Sequence, residues 1–212
     1  MFKELTVQKF IDEVASSSPA PGGGSVAALA GAQGAGLMSM YCNLSINRKK
    51  YEDNAVTLAD TGLKARDLMA ELVDIITEDT EAFNRVMAAY RLPKGSEAEK
   101  EERTAAIQDA AVNAAEVPLK VAQICLQLLS YAEKVNGKGN AAAITDLGVA
   151  NLQLWSALQG AVYNVMINLG MISDNKVTAG LHVKAGRIIE QGKVIFEKNR
   201  IYIEQEIQLQ GS

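Results

Sequence analysis

The sequence predicts an all-α protein, a bundle of long helices, on three observations. Four prolines and few β-branched runs leave little room for a sheet. Two stretches carry no charge, between Glu13 and Arg48 and between Asp146 and Asp174, and both read as long buried helices. Near the C-terminus Leu181, Ile188, Ile195, Tyr202 and Leu209 recur every seven residues, which suits packing along a neighbouring helix. The 212 residues can bury a substantial core, and residues 1–212 are read as a single domain.

The elements follow in order. Residues 2–15 form a short helix with Thr6 as a possible cap and Leu5, Phe10, Ile11 and Val14 on its apolar face. Pro19-Ala20-Pro21-Gly22-Gly23-Gly24-Ser25 then breaks the chain. Ser25 is a good N-cap for a helix that runs to about Asn47. Glycines before a helix start let backbone N–H groups approach a bound group, and the helix dipole favours an anion or a polarised carbonyl there. The turn is no nucleotide loop, since no Gly-Lys-Ser/Thr follows and no strand precedes it. Ala27, Gly31 and Ala35, spaced by four, make a small-residue face for close helix packing. Arg48-Lys49-Lys50-Tyr51 ends this helix as the densest positive cluster in the chain, where cations are favourable in any case.

A second long helix is expected from about Glu52 to Tyr90, with Leu58, Leu63, Leu68, Leu72, Ile75 and Ile76 inward. Leu92-Pro93-Lys94-Gly95 stops it, and Ser96 with Glu99 matches a capping box for the next. Pro118 is expected to kink or restart that helix, which continues to Ala132. After a loop from Lys134 to Gly139, Thr145 or Asp146 is the expected cap of a helix reaching about Met171, with Trp155 and Tyr163 as its large core residues. Asn164 and Asn168 share one face of it, and such amides need a helix or a polar ligand as partner. Ser173-Asp174 caps a last helix to about Gln208.

Composition narrows the function. Hydrophobic residues make up 48% and charged residues 22%, an ordinary globular balance, and the net charge of -4 without a basic stripe argues against a nucleic-acid partner. Cys42 and Cys125 form no metal-type pair and are expected as reduced, buried thiols of a cytoplasmic protein. The lone His182 makes histidine metal sites and histidine-centred triads poor readings. Residues 1–16 are charged and amphipathic, unlike a signal peptide. Both uncharged stretches are long enough to span a bilayer. The first carries Gln33, Ser39 and Asn43, the second six Asn, Gln and Ser residues, so they are read as helices of a bundle or subunit interface.

Several short motifs occur in a fixed order. They are Ala20 to Ala28, the Arg48 to Tyr51 cluster, Asp79-Thr80-Glu81-Ala82-Phe83, Arg91-Leu92-Pro93-Lys94, Val117-Pro118-Leu119, Gly139-Asn140 with Thr145-Asp146, and Asn164 to Leu169. Together they resemble the formimidoyltetrahydrofolate cyclodeaminase and methenyltetrahydrofolate cyclohydrolase family, over nearly the whole chain. Thr145 stands where that family often has serine, which keeps the hydroxyl. The resemblance implies a homodimer of partly kinked helices and a tetrahydrofolate substrate, with no metal or redox cofactor. One family reaction opens 5,10-methenyltetrahydrofolate with water to the 10-formyl form. The other closes 5-formimidoyltetrahydrofolate with loss of ammonia.

With that substrate in view, Asp146 is the first candidate for the carboxylate that stabilises the cationic carbon or activates water, and Asp79 the second. Gly22, Gly23, Gly24 and Ser25 would offer N–H groups. Arg48 and Lys49 suit the glutamate tail, Tyr51 can stack or hydrogen-bond, and Asn140 and Asn164 can position the pterin. A chain without a transferase domain tilts the reading toward the hydrolysis. The alternative is the cyclodeaminase, and the distant one a helical interaction module without catalysis.

Overall fold

The computed structural model describes residues 1–211. Its α-helices are α1 (Val7–Val14), α2 (Gly23–Ile46), α3 (Ala55–Tyr90), α4 (Glu97–Val135), α5 (Ile144–Leu169) and α6 (Asn175–Gly211). Short 3-10 turns at Phe2–Glu4, Lys49–Asn54 and Ala141–Ala143 join them, and the described residues include no strand. The all-α expectation therefore holds. None of these helices is long and apolar enough to cross a membrane.

The bundle is arranged around α2. It packs chiefly against α3 and α5, and α4 closes over it. Its small residues make this possible: Ala28 and Ala35 are fully buried, and a Cβ on Gly31 would lie 2.9 Å from Cys125 Sγ on α4 and 3.2 Å from Leu72 Cδ1 on α3. Three helices thus approach the α2 backbone at one level, which no larger side chain would permit. Cys42 and Cys125 are both free and buried, and loss of hydration pushes both thiols up to about 12.

Local signals set most helix ends. Thr6 Oγ1 accepts from Lys9 N at 3.3 Å at the start of α1, and Ser96 with Glu99 forms the expected reciprocal box at the start of α4. Asp174 Oδ1 accepts from Lys176 N at 2.7 Å and opens α6. Two caps differ from expectation. Gly22 is the N-cap of α2, so Ser25 lies inside the first turn. Thr145 and Asp146 also lie inside a first turn, because Asn140 takes the capping role one turn earlier by accepting from Ala142 N at 3.2 Å. Pro118 neither ends nor restarts α4, which runs on to Val135.

The core prediction erred at single positions, on the nearly all-apolar α5 and on the amphipathic α1 and α3 alike. Tyr163, expected inside, is 62% exposed, and Leu63 is 64% exposed. Trp155 is half-buried and stacks on Phe196 at 5.3 Å between ring centres. On α1 only Phe10 is buried, while Ile11 and Val14 face out. The seven-residue seam of α6 is buried at Leu181 and Ile188 and opens by Leu209.

Two glycines separate close packing from helix propensity. A methyl on Gly34 would meet Leu154 Cγ at 2.8 Å and the Ala150 carbonyl at 3.0 Å, whereas one on Gly180 meets nothing. Gly34→Ala is expected to lower unfolding free energy by about 1–3 kcal/mol. Gly180→Ala is expected to raise it by about 0.5–1 kcal/mol. Urea denaturation of the two variants checks the opposite signs.

Candidate active site

A cavity of about 680 Å³ opens where the N-terminus of α2 meets the second half of α3 and the end of α5. Its floor is the turn through Pro19, Ala20 and Gly22–Gly24. Asp79, Thr80, Phe83, Val86, Met87 and Tyr90 of α3 form one wall. Their three- and four-residue spacing puts them on one helix face. The other wall carries Asn164, Ile167 and Asn168 of α5, with Ala114 of α4 behind. The polar groups gather at the α2 end and the large apolar ones along α3 toward Tyr90.

Asp79 holds the polar end together. Ser25 Oγ donates to its Oδ2 at 2.8 Å, lies 3.3 Å from the Ile76 carbonyl and 3.5 Å from Thr80 Oγ1. The first turn of α2 has no side-chain cap of its own. A carboxylate from α3 sits against it instead, where the exposed N–H groups and helix dipole favour negative charge. Gly24 permits this approach: a Cβ there would lie 2.7 Å from Asp79 Cγ and overlap Oδ1.

The environment of Asp79 is divided against itself. Burial pushes its pKa up from the usual carboxylate range, while the hydroxyl and backbone N–H of Ser25 pull it back down. The net shift is upward. Among the described residues no Lys or Arg makes an ion pair with it. Nearby Lys120 pairs instead with Glu71 and Glu78. Such a carboxyl exchanges a proton more readily near neutral pH than an exposed one, and attracts a cationic guest.

The two asparagines are tied down by their amide nitrogens. Asn164 Nδ2 donates to the Gly160 carbonyl at 2.9 Å, and Asn168 Nδ2 to the Ala114 carbonyl at 2.6 Å. Among the described residues no group of three His, Cys, Asp or Glu side chains is placed to hold a metal ion.

The residues singled out from the sequence fall into two groups. Gly22, Gly23, Gly24, Ser25, Asp79 and Asn164 meet at the cavity, although Ser25 reaches it through Asp79. Arg48, Lys49, Tyr51, Asn140 and Asp146 do not line it. Asp146 and Asn164 share a face of α5 but stand about five turns apart, roughly 27 Å along the axis. Asp146 thus belongs to the opposite end of the bundle. There Tyr51 Oη accepts from Ala141 N at 3.2 Å, and Asn140 N donates to Ser45 Oγ at 2.7 Å. Both residues pin the loop ahead of α5 to the end of α2. Sequence reasoning missed Phe83, Met87, Tyr90 and Asn168 as cavity residues. The signal was present, since the first three continue the helical face of Asp79 and Asn168 that of Asn164.

Comparison with known proteins matches the sequence profile of formiminotransferase-cyclodeaminase over residues 6–187. The chain is 41% identical over 193 residues to a methenyltetrahydrofolate cyclohydrolase of Methylorubrum extorquens, covering 88% of this chain and 93% of that protein. It is 31% identical over 190 residues to the formimidoyltransferase-cyclodeaminase of Mus musculus, covering 90% of this chain but 35% of that protein. This chain therefore spans about a third of the mouse relative. The crystal structure of a formiminotetrahydrofolate cyclodeaminase from Thermotoga maritima superposes with a TM-score of 0.87 at 28% identity, covering 98% of this chain and 100% of that one.

The Ser25 hydroxyl opposes the effect of burial on Asp79, so Ser25→Ala is expected to move the Asp79 titration to higher pH. Carboxyl ¹³C NMR of the labelled protein reads it directly. A titration that stays in place or moves down would show that Ser25 does not hold the charged form.

Proposed function

The chain belongs to the formiminotransferase-cyclodeaminase family, and from that premise we propose that it hydrolyses 5,10-methenyltetrahydrofolate to 10-formyltetrahydrofolate. The observation that carries this reading is Asp79, a half-buried carboxylate with no cation paired to it at the head of the cavity. The methenyl carbon bridges N5 and N10 as part of a cationic amidinium. A substrate bearing that cation supplies the missing charge to a partly desolvated carboxylate.

The chemistry then follows from one carboxylate. Asp79 takes a proton from a water molecule as its oxygen bonds to the methenyl carbon, which gives a neutral tetrahedral carbon between the two nitrogens. Asp79 returns that proton to N5 as the C–N5 bond breaks. The remaining hydroxyl proton leaves to solvent and the carbonyl forms on N10. One cation and one water give one neutral formyl product and one proton, and no electron transfer or metal is called for. An upward-shifted carboxyl suits both halves of this exchange. The N–H groups of the Gly22–Gly24 turn face the polar end, Asn164 hydrogen-bonds the pterin, and Phe83 and Tyr90 flank the flat aminobenzoyl ring.

The cyclodeaminase reaction is the second reading, favoured by the names of the mouse and Thermotoga maritima relatives. There N10 attacks the formimidoyl carbon, the same carboxylate takes the N10 proton and passes it to the amino group, and the C–N bond breaks to release ammonia. The Methylorubrum extorquens relative, matched over 93% of its own length, supports the hydrolysis more directly.

We place the enzyme in the cytoplasm, where its thiols stay reduced, and read its helices as one domain that pairs as a homodimer. Val26, Met40 and Leu44 on α2 and Val149, Leu152 and Tyr163 on α5 are exposed apolar side chains on neighbouring helices, a face suited to a second copy. If the copies run antiparallel, the end bearing Arg48, Lys49 and Asp146 on one lies beside the Asp79 cavity of the other. The cations then meet the glutamate tail, and Asp146 contributes a second carboxylate.

The test is a paired assay: loss of the near-ultraviolet band of methenyltetrahydrofolate above the uncatalysed rate, and appearance of that band with ammonia from formimidoyltetrahydrofolate. Accelerated loss supports the hydrolase, and appearance alone would replace it by the cyclodeaminase. Asp79→Asn is expected to lower kcat by about 100-fold or more. Silence of the wild type in both assays, without folate binding, would leave a helical interaction module.

The shared site makes its own prediction. Asp79→Asn and Asp146→Asn are each expected to be nearly inactive, and their mixture to regain activity as hybrid dimers form with one intact site. Mixed variants that stay inactive while exchanging subunits would rule out a site completed across the dimer.

A further inference from the structure

We propose that Pro118 is a positioning residue for Asn168, and that Asn168 contacts the substrate through its side-chain oxygen. In a regular helix the N–H of residue 118 would bond the Ala114 carbonyl, but proline has no N–H to give. Pro118 is buried inside a helix that continues for several turns beyond it, so it does not serve to end that helix. Its effect is to leave one carbonyl of α4 short of its helical donor. A buried carbonyl without a partner is unfavourable, and the structure fills the gap from another helix: Asn168 Nδ2 of α5 donates to Ala114 O at 2.6 Å.

That bond selects one of two ways the Asn168 amide can face. Turned over, it would set its oxygen against the Ala114 oxygen, two acceptors in contact. The proline gap therefore fixes the nitrogen toward α4 and leaves Oδ1 as the free acceptor. Oδ1 accepts no bond from the described residues, yet it is absent from the buried, unpartnered side-chain atoms, so solvent reaches it. Ala114 and Asn168 both line the cavity. One turn earlier Asn164 turns its nitrogen onto the Gly160 carbonyl in the same sense. Two amide oxygens on α5 thus make this wall rich in acceptors, which selects a ligand edge carrying N–H donors. In the folate reading, on which this inference rests, that edge is the amino and ring N–H edge of the pterin.

Stability and binding respond to Pro118 with opposite signs. Pro118→Ala returns a helical N–H that competes for Ala114 O, and removes a residue that is unfavourable within a helix. Its melting temperature is expected to stay level or rise, while KM for methenyltetrahydrofolate rises about fivefold with kcat within about twofold, as for lost ground-state binding. Asn168→Ala is expected to raise KM about tenfold or more, and Pro118→Ala added to it to change KM no further, because the proline acts through the asparagine. Without any folate, the Asn168 side-chain amide protons in a ¹⁵N spectrum are expected to move upfield in Pro118→Ala as their bond weakens. An active Pro118→Ala with unchanged KM and unmoved Asn168 resonances overturns the inference. So does a loss that multiplies fully with that of Asn168→Ala. A wild type inactive on both folates overturns the functional reading instead, and the amide resonances then still decide whether the proline orients the asparagine.

Discussion

The structure depends on how closely other helices approach the backbone of α2. A helix built from glycine, alanine and serine presents little beyond its own main chain. At Gly31 and Gly34 the neighbours come to distances a single added methyl would violate. This close packing does more than bury apolar area. It fixes the axis of α2 relative to α3 and α5, and so fixes where its N-terminus falls. The N–H groups of that first turn are the polar part of α2 at the cavity, and that of Ser25 already meets Asp79. Packing thereby delivers them to the junction where Asp79 and Asn164 stand.

Polar groups left over by the fold become the site. The first turn of α2 lacks a local cap, and a carboxylate from α3 takes the place. The Ala114 carbonyl lacks its helical donor because residue 118 is proline, and an amide from α5 takes that place. In both cases a helix defect is satisfied across a helix interface, by a side chain that also faces the cavity. Each such partner serves two purposes, so neither helix defect could be repaired locally without altering the chemistry. Gly24 shows the same coupling from the other side, since its missing side chain is what lets Asp79 come close enough to act as the cap.

Legibility in the sequence divides along the same line. Caps within a few residues were readable: Thr6, Ser96 with Glu99, and Asp174 all do what their local pattern implies. A cap supplied by a residue 54 positions away was not, and Ser25 was taken for a cap because the local pattern is the only one a short window shows. Single positions misled on the amphipathic α1 and α3, at Ile11, Val14 and Leu63, and helix faces were least legible on α5, which is apolar nearly all round. Tyr163 and Trp155 look alike in such a helix, and only the neighbours decide that one faces out while the other stacks on Phe196. The motif order located the cavity residues from Gly22 to Gly24, Asp79 and Asn164. It did not put Arg48, Lys49 and Asp146 at the far end, although the expected helices implied it: Arg48 and Lys49 close the helix that Gly22 to Gly24 open, and Asp146 starts the helix on which Asn164 lies about five turns later.

The separation of these two ends has a physical consequence for the carboxylates. Asp79 and Asp146 are the only acidic residues of the ordered motifs besides Glu81, and the fold gives the two aspartates opposite settings. Asp79 lies deep against a helix start, with its charge held by one hydroxyl and one N–H and opposed by burial. Asp146 lies in the first turn of α5. Placed side by side in one chain, two carboxylates would repel, and one would have to hold a proton to remain there. Keeping them at opposite ends of the bundle lets the chain fold without that conflict. In the homodimer proposed above the two would meet only across the interface, with a cationic substrate between them to offset the repulsion.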